Sequence, residues 1–165
     1  MIRPVAPEDA AAVCGIYNYY IENTAVTFEE EPVSVSVMES RINGVTAKYP
    51  WLIYEEAGEV LGYAYIHAWH ERPAYRFTAE DSIYIKHGKT GRGAGKALLA
   101  RLLEEARKQD VHVLMAVIAV PNEASTGLHE KFGFRQVGCF PGVGYKFGRR
   151  LDVGYWELMR DRPCN

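Results

Sequence analysis

The sequence predicts one α/β domain built around a mixed sheet, and three observations support that fold class. The chain has 165 residues, which is the length of a single domain. Its 48% hydrophobic and 24% charged residues are typical of a chain that folds around an apolar core. Strand patterns come first, strands and helices then alternate, and a hairpin ends the chain, which is the order of a mixed α/β sheet. We expect a single domain over residues 1–165.

The N-terminal part of the chain has helical patterns. Pro7 in a first turn, followed by two acidic residues, indicates the start of a helix over residues 7–22. Residues 33–37 alternate like a strand, but the apolar residues at positions 38, 42 and 45 continue at helical spacing. Periodicity alone leaves helix and strand open for that segment.

Aromatic and β-branched residues mark the strands in the middle of the chain. Residues 51–56 and 60–69 are typical of a β-hairpin around the turn Ala57-Gly58. Residues 77–85 predict a further strand. Residues 112–120 are apolar on both faces, as in a strand that is covered on both sides of its sheet.

The clearest helix covers residues 94–109, where a stripe of leucines lies opposite charged residues. Residues 125–132 predict a shorter helix. Residues 134–159 predict a long hairpin around residues 142–150.

Composition excludes several classes of partner. The net charge of −2 provides no basic field for nonspecific nucleic-acid binding. Cys14, Cys139 and Cys164 are odd in number and far apart, so they indicate neither a disulfide framework nor a CxxC metal pair. No signal peptide pattern opens the chain, and the longest apolar run is far shorter than the roughly 20 residues of a membrane-spanning helix. We therefore expect a cytoplasmic protein without nucleic-acid or membrane partners.

A glycine-rich segment, Gly88-Lys89-Thr90-Gly91-Arg92-Gly93-Ala94-Gly95-Lys96, lies between a predicted strand and the clearest helix. Glycines let backbone N–H groups approach an anion, and the helix dipole adds positive potential. A Walker A loop would need glycine at Thr90 and a hydroxyl at Ala97, and a dinucleotide loop would need a further glycine at Lys96 or Leu98. An anion site and a simple glycine-rich turn are the two interpretations.

This segment resembles the pyrophosphate loop of the GCN5-related N-acetyltransferases (GNAT), written Arg/Gln-x-x-Gly-x-Gly/Ala. The resemblance covers nearly the whole chain, and it is closest to the phosphinothricin and methionine sulfoximine acetyltransferase branch. The motifs of that branch are Ala68-Trp69-His70, Thr78-Ala79-Glu80-Asp81-Ser82, Leu128-His129-Glu130-Lys131-Phe132-Gly133-Phe134 and the segment from Lys146 to Trp156. One departure is Thr90, where the family usually has Arg or Gln.

The resemblance implies the GNAT acyl-CoA N-acyltransferase fold, in which two central parallel strands splay apart and acetyl-CoA enters the gap. The parallel pair would be the strands ending at Ile85 and Val120. The implied cofactor-binding residues are Ile83, Tyr84 and Ile85 for the pantetheine arm, Gly91, Arg92, Gly93, Ala94, Gly95 and Lys96 for the pyrophosphate, and Asn122 for the pantetheine. Asn122 is also placed to cap a helix, which is a compatible interpretation.

Two catalytic residues follow from the same motifs. Glu80 corresponds to the glutamate that serves this branch as the base, and its apolar strand is expected to raise its pKa toward neutrality. Asp81 should point to the opposite face of the strand. His129 stands where many relatives have tyrosine, and it is implied to be acid, base or orienting group; a histidine in an amphipathic helix is also often a packing residue.

The segment Arg76-Phe77-Thr78 is implied to bind the acceptor. Arg76 and Thr78 precede Glu80 on alternate residues and are expected to share its face of the strand, where Arg76 could pair with a carboxylate or phosphinate. The alternative is an arginine that only covers an exposed edge. His67 and His70, three residues apart on a strand, should point to opposite faces, so we expect no metal site.

The expected function is therefore acetyl transfer from acetyl-CoA to the amino group of a small amino-acid-like molecule, by direct transfer in a ternary complex. The family implies a homodimer. One alternative keeps the fold but uses a polyamine, a drug amine or a protein N-terminus as acceptor. A second alternative is a noncatalytic acetyl-CoA-binding regulator.

Overall fold

A computed structural model describes residues 1–160, and Cys164 lies outside them. Seven strands form one sheet in the order β1-β2-β3-β4-β5-β7-β6, which confirms the predicted mixed α/β sheet. The strands are β1 Ile2–Pro4, β2 Trp51–Glu56, β3 Glu59–Ala68, β4 Thr78–Ile85, β5 Val113–Val120, β6 Arg135–Lys146 and β7 Arg149–Met159. The helices are α1 Ala10–Asn23, α2 Val35–Thr46, α3 Ala94–Arg107 and α4 Glu123–Lys131. The short β1 has no counterpart among the elements predicted from the sequence.

The structure contains two compact units. The first unit consists of Met1–Ile66 and Ser82–Gln109, and the second consists of His67–Asp81 and the chain from Asp110 onward. Strand β4 therefore contributes its first four residues to the second unit and its last four to the first unit. A single domain over residues 1–165 stays a prediction.

The first unit packs helices onto an antiparallel ladder. Strand β1 pairs antiparallel with β2, and β2 pairs antiparallel with β3. One apolar cluster joins α1, α2, β2 and β3 through buried side chains: Val13, Ile16, Ile21, Met38, Ile42, Trp51, Ile53 and Tyr63. The leucine stripe of α3 is buried as its spacing predicts, and that helix packs on β1 and β2.

The start of α1 differs from the sequence expectation, and the start of α2 decides between helix and strand for its segment. Residues Pro7–Asp9 form a 3₁₀ turn, and α1 begins at Ala10 rather than Pro7. The buried Asp9 accepts a hydrogen bond from the N–H of Ala6 and forms an ion pair with Arg3. These contacts favour the tighter turn. Residues from Val35 are helical because the Ser34 hydroxyl caps α2 at the N–H of Val37.

The second unit contains the central parallel pair. Residues 78–80 of β4 pair in parallel with residues 113–115 of β5. Strand β5 pairs antiparallel with β7 over its whole length, and β7 pairs antiparallel with β6. Thus β4 and β5 are the parallel strands that the sequence predicted, while their separation beyond this ladder stays a prediction.

The closing hairpin turns more sharply than predicted. The expected turn covered residues 142–150, whereas β6 extends to Lys146 and β7 begins at Arg149. Phe147 and Gly148 have φ angles of 51° and 73°, and positive values at both central residues are those of a type I′ hairpin turn. The predicted boundaries were wrong here because several glycines in β6 resemble turn residues in the sequence.

Candidate active site

Glu80 occupies the third position of β4, and its side chain is only 23% exposed. Burial disfavours the ionised carboxylate, and the neighbouring charge of Asp81 adds to that effect. Together they raise the pKa of Glu80 from 4.5 to about 7. A carboxyl group with this pKa exchanges a proton readily near neutral pH.

His67 is a neighbour of Glu80 that the sequence analysis considered only as half of a metal pair. Its Nε2 lies 4.0 Å from Oε1 of Glu80. Its Nδ1 lies 2.9 Å from the carbonyl oxygen of Ala68, which can only accept a hydrogen bond, so Nδ1 carries a proton. The distance between His67 and Glu80 depends on the pairing of β3 and β4, which one sequence does not reveal.

Asp81 and His129 form a buried pair in the second unit. Nε2 of His129 lies 2.9 Å from Oδ2 of Asp81, and the two side chains are 5% and 1% exposed. Nδ1 of His129 donates to the backbone carbonyl of Ser125 at 2.7 Å. The sequence predicted His129 as a functional residue and gave Asp81 no role.

The charge state of His129 depends on opposing effects. Burial alone lowers the pKa of His129, because it disfavours the imidazolium. The hydrogen bond and charge of Asp81, together with the Ser125 carbonyl, outweigh burial and raise the pKa above its ordinary value. The imidazolium form of His129 is therefore favoured more than in a free histidine.

The predicted acceptor segment is only partly in β4. Thr78 begins the strand and shares a face with Glu80 by alternation. Arg76, however, follows the 3₁₀ turn Pro73–Tyr75 and lies outside the strand, so alternation along β4 does not extend to it and its shared face with Glu80 stays a prediction. Pro73 favours that turn. The exposed guanidinium lies 4.3 Å from the Phe77 ring centre and donates to the carbonyl of Pro73.

The glycine-rich loop leads into the N-terminus of α3 in the first unit. Gly88, Gly91 and Gly93 have φ angles of 76°, 77° and 86°, in the left-handed region that favours glycine. A Cβ at any of them would meet no atom within 4 Å, so the surrounding space is open. Gly93 is the N-cap of α3 and has no side chain that could cap the helix. The first N–H groups of α3 are thus available to an anion.

The cations of the loop differ in their partners. Lys89 lies 3.8 Å from a carboxylate oxygen of Glu59. Arg92 and Lys96 are exposed, and within residues 1–160 neither has a carboxylate at ion-pair distance. Ala94 and Gly95 form the first turn of α3. Both exposed cations are therefore available beside the open helix end.

The last residues of β4 pack against an aromatic cluster in the first unit. The ring of Tyr84 lies 5.2 Å from Tyr17 and 5.3 Å from both Tyr20 and Tyr63, measured between centroids. The hydroxyl of Tyr20 donates to the carbonyl of Ile85 at 2.6 Å. Ile83, Tyr84 and Ile85 are all partly buried. These contacts fix the backbone that the sequence predicted to bind a pantetheine arm.

Asn122 is the N-cap of α4. Its Oδ1 accepts a hydrogen bond from the N–H of Ser125 at 3.2 Å. The helix-cap interpretation of Asn122 is thus realised, and the side-chain NH₂ group points to no hydrogen-bond partner within residues 1–160. A cap and a ligand contact are compatible because they use different atoms of the amide.

The side chains and helices of residues 1–160 provide neither a grouped set of metal ligands nor a membrane-spanning helix. No three or more His, Cys, Asp or Glu side chains of this part are grouped so as to hold a metal ion. No helix in the same part of the chain is long and apolar enough to cross a bilayer.

Comparisons with known proteins identify one family. The model of an acetyltransferase (GNAT) domain matches residues 2–154. The chain is 38% identical to the phosphinothricin N-acetyltransferase of Streptomyces viridochromogenes, over 99% of this chain and 89% of that protein. It is also 38% identical to the L-methionine sulfoximine/L-methionine sulfone acetyltransferase of Pseudomonas paraeruginosa, over 97% of this chain and 94% of that protein.

A solved structure agrees over nearly the whole fold. The phosphinothricin acetyltransferase from Sinorhizobium meliloti, a GNAT superfamily protein in complex with AcCoA, superposes with a TM-score of 0.93. The two sequences are 35% identical, and the match covers 96% of this chain and 87% of that chain.

Replacing Glu80 with Gln tests the cost of ionising this carboxyl independently of any activity. Because the folded pKa is about 7 instead of 4.5, the stability that the protonated group provides is lost as pH rises through 7. The difference in free energy of unfolding between Glu80→Gln and wild type should therefore depend on pH. We expect this difference to shift in favour of the variant by on the order of 3 kcal/mol between about pH 4 and about pH 8. Urea unfolding at both pH values measures the difference.

The matched control is Glu59→Gln. Glu59 is exposed, and the hydrogen bond from Lys86 lowers its pKa. The stability that ionised Glu59 provides is therefore present above the ordinary pKa of glutamate and is lost as pH falls through the lowered pKa. This variant should have a small effect of the opposite sign. An equal effect of Glu80→Gln at both pH values would contradict the burial cost.

Proposed function

Because this chain belongs to the GNAT acetyltransferase family, we propose that it acetylates the amino group of a small amino-acid-like molecule such as phosphinothricin or methionine sulfoximine. The observation that carries the proposal is the half-buried Glu80, whose raised pKa suits it to accept an ammonium proton near neutral pH. Relatives named for these two acceptors, each 38% identical, support the substrate class.

The loop before α3 fits the diphosphate of acetyl-CoA. In this proposal Gly91, Gly93 and the first turn of α3 present backbone N–H groups, and the exposed Arg92 and Lys96 add positive charge. Open space around the glycines and the uncapped helix end support this role. The backbone carries the contact, so Thr90 in place of Arg or Gln removes at most one side-chain partner.

The pantetheine arm is assigned to backbone groups of Ile83, Tyr84 and Ile85 and to Asn122. The carbonyl of Ile85 already accepts the Tyr20 hydroxyl, so we assign the binding at this end of β4 mainly to N–H groups. Asn122 would contribute its side-chain NH₂ group. Acetyl-CoA, when bound, supplies the acetyl group as an activated thioester.

Glu80 is assigned as the general base. An ammonium group has no lone pair, so the acceptor must lose a proton before it can attack. Ionised Glu80 takes that proton and becomes the neutral acid, the form that its buried position favours. His129 belongs to the proposal as the partner of Asp81, the residue next to Glu80.

Arg76, Phe77 and Thr78 are assigned to the acceptor. The guanidinium of Arg76 is exposed beside the Phe77 ring, so it can pair with the carboxylate or phosphinate of an amino-acid-like substrate. Thr78 shares the face of Glu80 and can donate a hydrogen bond. These three residues would orient the amine toward the base.

The predicted homodimer and cytoplasmic location are part of this proposal. Large apolar side chains are exposed on β6 and its turn: Val137, Phe140, Val143, Tyr145 and Phe147. Such a surface on an edge strand is typical of a protein interface. The free thiols of Cys14 and Cys139 suit a reducing compartment, and the family match over residues 2–154 supports a single domain.

Sedimentation measures the association state. Wild type is expected to sediment as a dimer, and Val143→Asp as a monomer because it places a charge in the apolar surface. Val26→Asp, at an exposed valine in the first unit, is the control. A monomeric wild type at all concentrations would contradict the dimer.

Thiol release from acetyl-CoA, measured over amino acids, phosphinothricin, methionine sulfoximine and polyamines, tests the function. We expect release with the amino-acid-like acceptors and a kcat/KM that rises with pH up to a plateau above about 7, since Glu80 must be ionised. Glu80→Gln should lower kcat/KM by roughly 100-fold or more without weakening acetyl-CoA binding, whereas Glu59→Gln should not. Release with polyamines alone would overturn the acceptor, and binding without release would indicate a regulator.

Calorimetric titration with coenzyme A tests the loop. Gly93→Val forces a branched side chain into a left-handed N-cap and displaces the α3 N–H groups, so we expect the affinity to fall by about tenfold or more. Gly58→Val is the matched control, because Gly58 has a φ of 79° in the turn between β2 and β3. Equal affinity losses in both variants would show that general strain, not the loop, causes the effect.

A further inference from the structure

Hydrogen-bond accounting at His129 defines the protons of its ring. The Ser125 carbonyl can only accept, so Nδ1 carries a proton and donates it at 2.7 Å. Nε2 lies 2.9 Å from Oδ2 of Asp81, and this contact also requires one proton between the two atoms. The pair therefore holds two protons, one on Nδ1 and one between Nε2 and Oδ2.

The shared proton belongs to the histidine. An imidazole is more basic than a carboxylate by about 2.5 pKa units in model compounds, which favours the ion pair over two neutral groups. His129 also lies in the last turn of α4, where the helix dipole stabilises a cation. Both effects assign the proton to Nε2 and leave Asp81 ionised.

We infer that Asp81 is a positioning residue that holds His129 as an imidazolium with both N–H bonds committed, and that this ion pair fixes the β4 segment bearing Glu80 without itself exchanging a proton during acetyl transfer. The charge state of the pair stands on the contacts alone. Its consequence for catalysis rests on the proposed function.

The surroundings of the pair support a positioning role. Only 5% of the His129 side chain and 1% of the Asp81 side chain are exposed, so neither ring nitrogen is open to an acceptor. The ring of Phe134 packs edge-on against His129 at 5.0 Å between centroids. Alternation along β4 directs Asp81 away from the face that carries Glu80.

The other charged groups of the two elements do not replace either partner. On α4, Glu130 accepts a hydrogen bond from the Trp156 indole at 3.1 Å, and Lys131 is exposed. Glu123 is in the first turn of α4, at the opposite end from His129. On β4 the only other carboxyl is Glu80, whose pKa the charge of Asp81 helps to raise. Asp81 is thus linked to both His129 and the proposed base.

Removing one partner is not equivalent to removing both. Asp81→Asn leaves the imidazolium buried without a counter-charge, which favours its deprotonation. His129→Gln leaves the Asp81 carboxylate without its cation. The double variant Asp81→Asn/His129→Gln removes both charges and keeps groups that can hydrogen-bond to each other. It therefore distinguishes a positioning role of the pair from a proton-transferring role of His129.

Ring nitrogen NMR of the full chain tests the charge state directly. In ¹⁵N-labelled wild type at about pH 7.5, we expect both ring nitrogens of His129 to carry protons, with His129→Gln identifying the signal. Asp81→Asn should convert the ring to the neutral form with its proton on Nδ1. A neutral His129 ring in wild type would overturn the inference. This measurement needs no turnover, so an inactive protein with an imidazolium would overturn only the proposed function.

Kinetics of the double variant test the positioning role. If the pair only positions β4, Asp81→Asn/His129→Gln should keep kcat within about tenfold of wild type, whereas loss of a proton-transferring group costs roughly 100-fold or more. A loss of that size, with unchanged melting temperature and acetyl-CoA affinity, would overturn positioning and assign proton transfer to His129. His70→Gln, which replaces an exposed histidine whose ring lies 4.2 Å from that of Trp69 between centroids, is the control. If the double variant does not fold, the wild-type NMR result decides.

Discussion

Two consecutive carboxylates on one strand form the constraint on which the site depends. Glu80 and Asp81 point to opposite faces of β4, so a single partner cannot neutralise both. Asp81 pairs with His129 at 2.9 Å in a buried environment. Glu80 is half-buried, and His67 is 4.0 Å away, beyond hydrogen-bond distance. Burial and the neighbouring charge therefore act mainly on Glu80, which suits it to accept and release a proton near neutral pH.

The residues assigned to the acceptor, the base and the cofactor follow one another along the sequence. The last residues of β4 and the glycine loop that follows carry the groups assigned to the cofactor, and the N-terminus of α3 provides the potential for an anion. The turn before β4 carries Arg76 and Phe77, which are assigned to the acceptor. The groups assigned to the diphosphate, the base and the acceptor thus all belong to β4 and the segments that flank it in the sequence.

Local patterns predicted much of this from the sequence. The stripe of α3, the hairpin of β2 and β3 and the apolar β5 depend on periodicity within one element, and all three were predicted correctly to within a few residues. The GNAT family and the acetyltransferase class, indicated by the motifs, are confirmed by the family match and the relatives. The partial burial of Glu80 was expected because the predicted strand contains Phe77, Ile83, Tyr84 and Ile85.

Contacts between distant segments were not predictable in the same way. Asp81 and His129 are 48 residues apart, and nothing within either motif indicates that they meet. His67 reaches Glu80 through the pairing of strands, and the turn at Pro73 delays the start of β4 to Thr78, so that alternation does not extend to Arg76. The open end of α3 was expected from its glycines, since that feature is local.

Titration of the Glu80 carboxyl by ¹³C NMR, with Glu80→Gln used to assign the signal, measures the central claim most directly. The account predicts a midpoint of about 7 in the folded protein. A midpoint near 4.5, the ordinary value for glutamate, would contradict it, because a carboxyl that is fully ionised at neutral pH would not be the tuned base that this strand is proposed to hold.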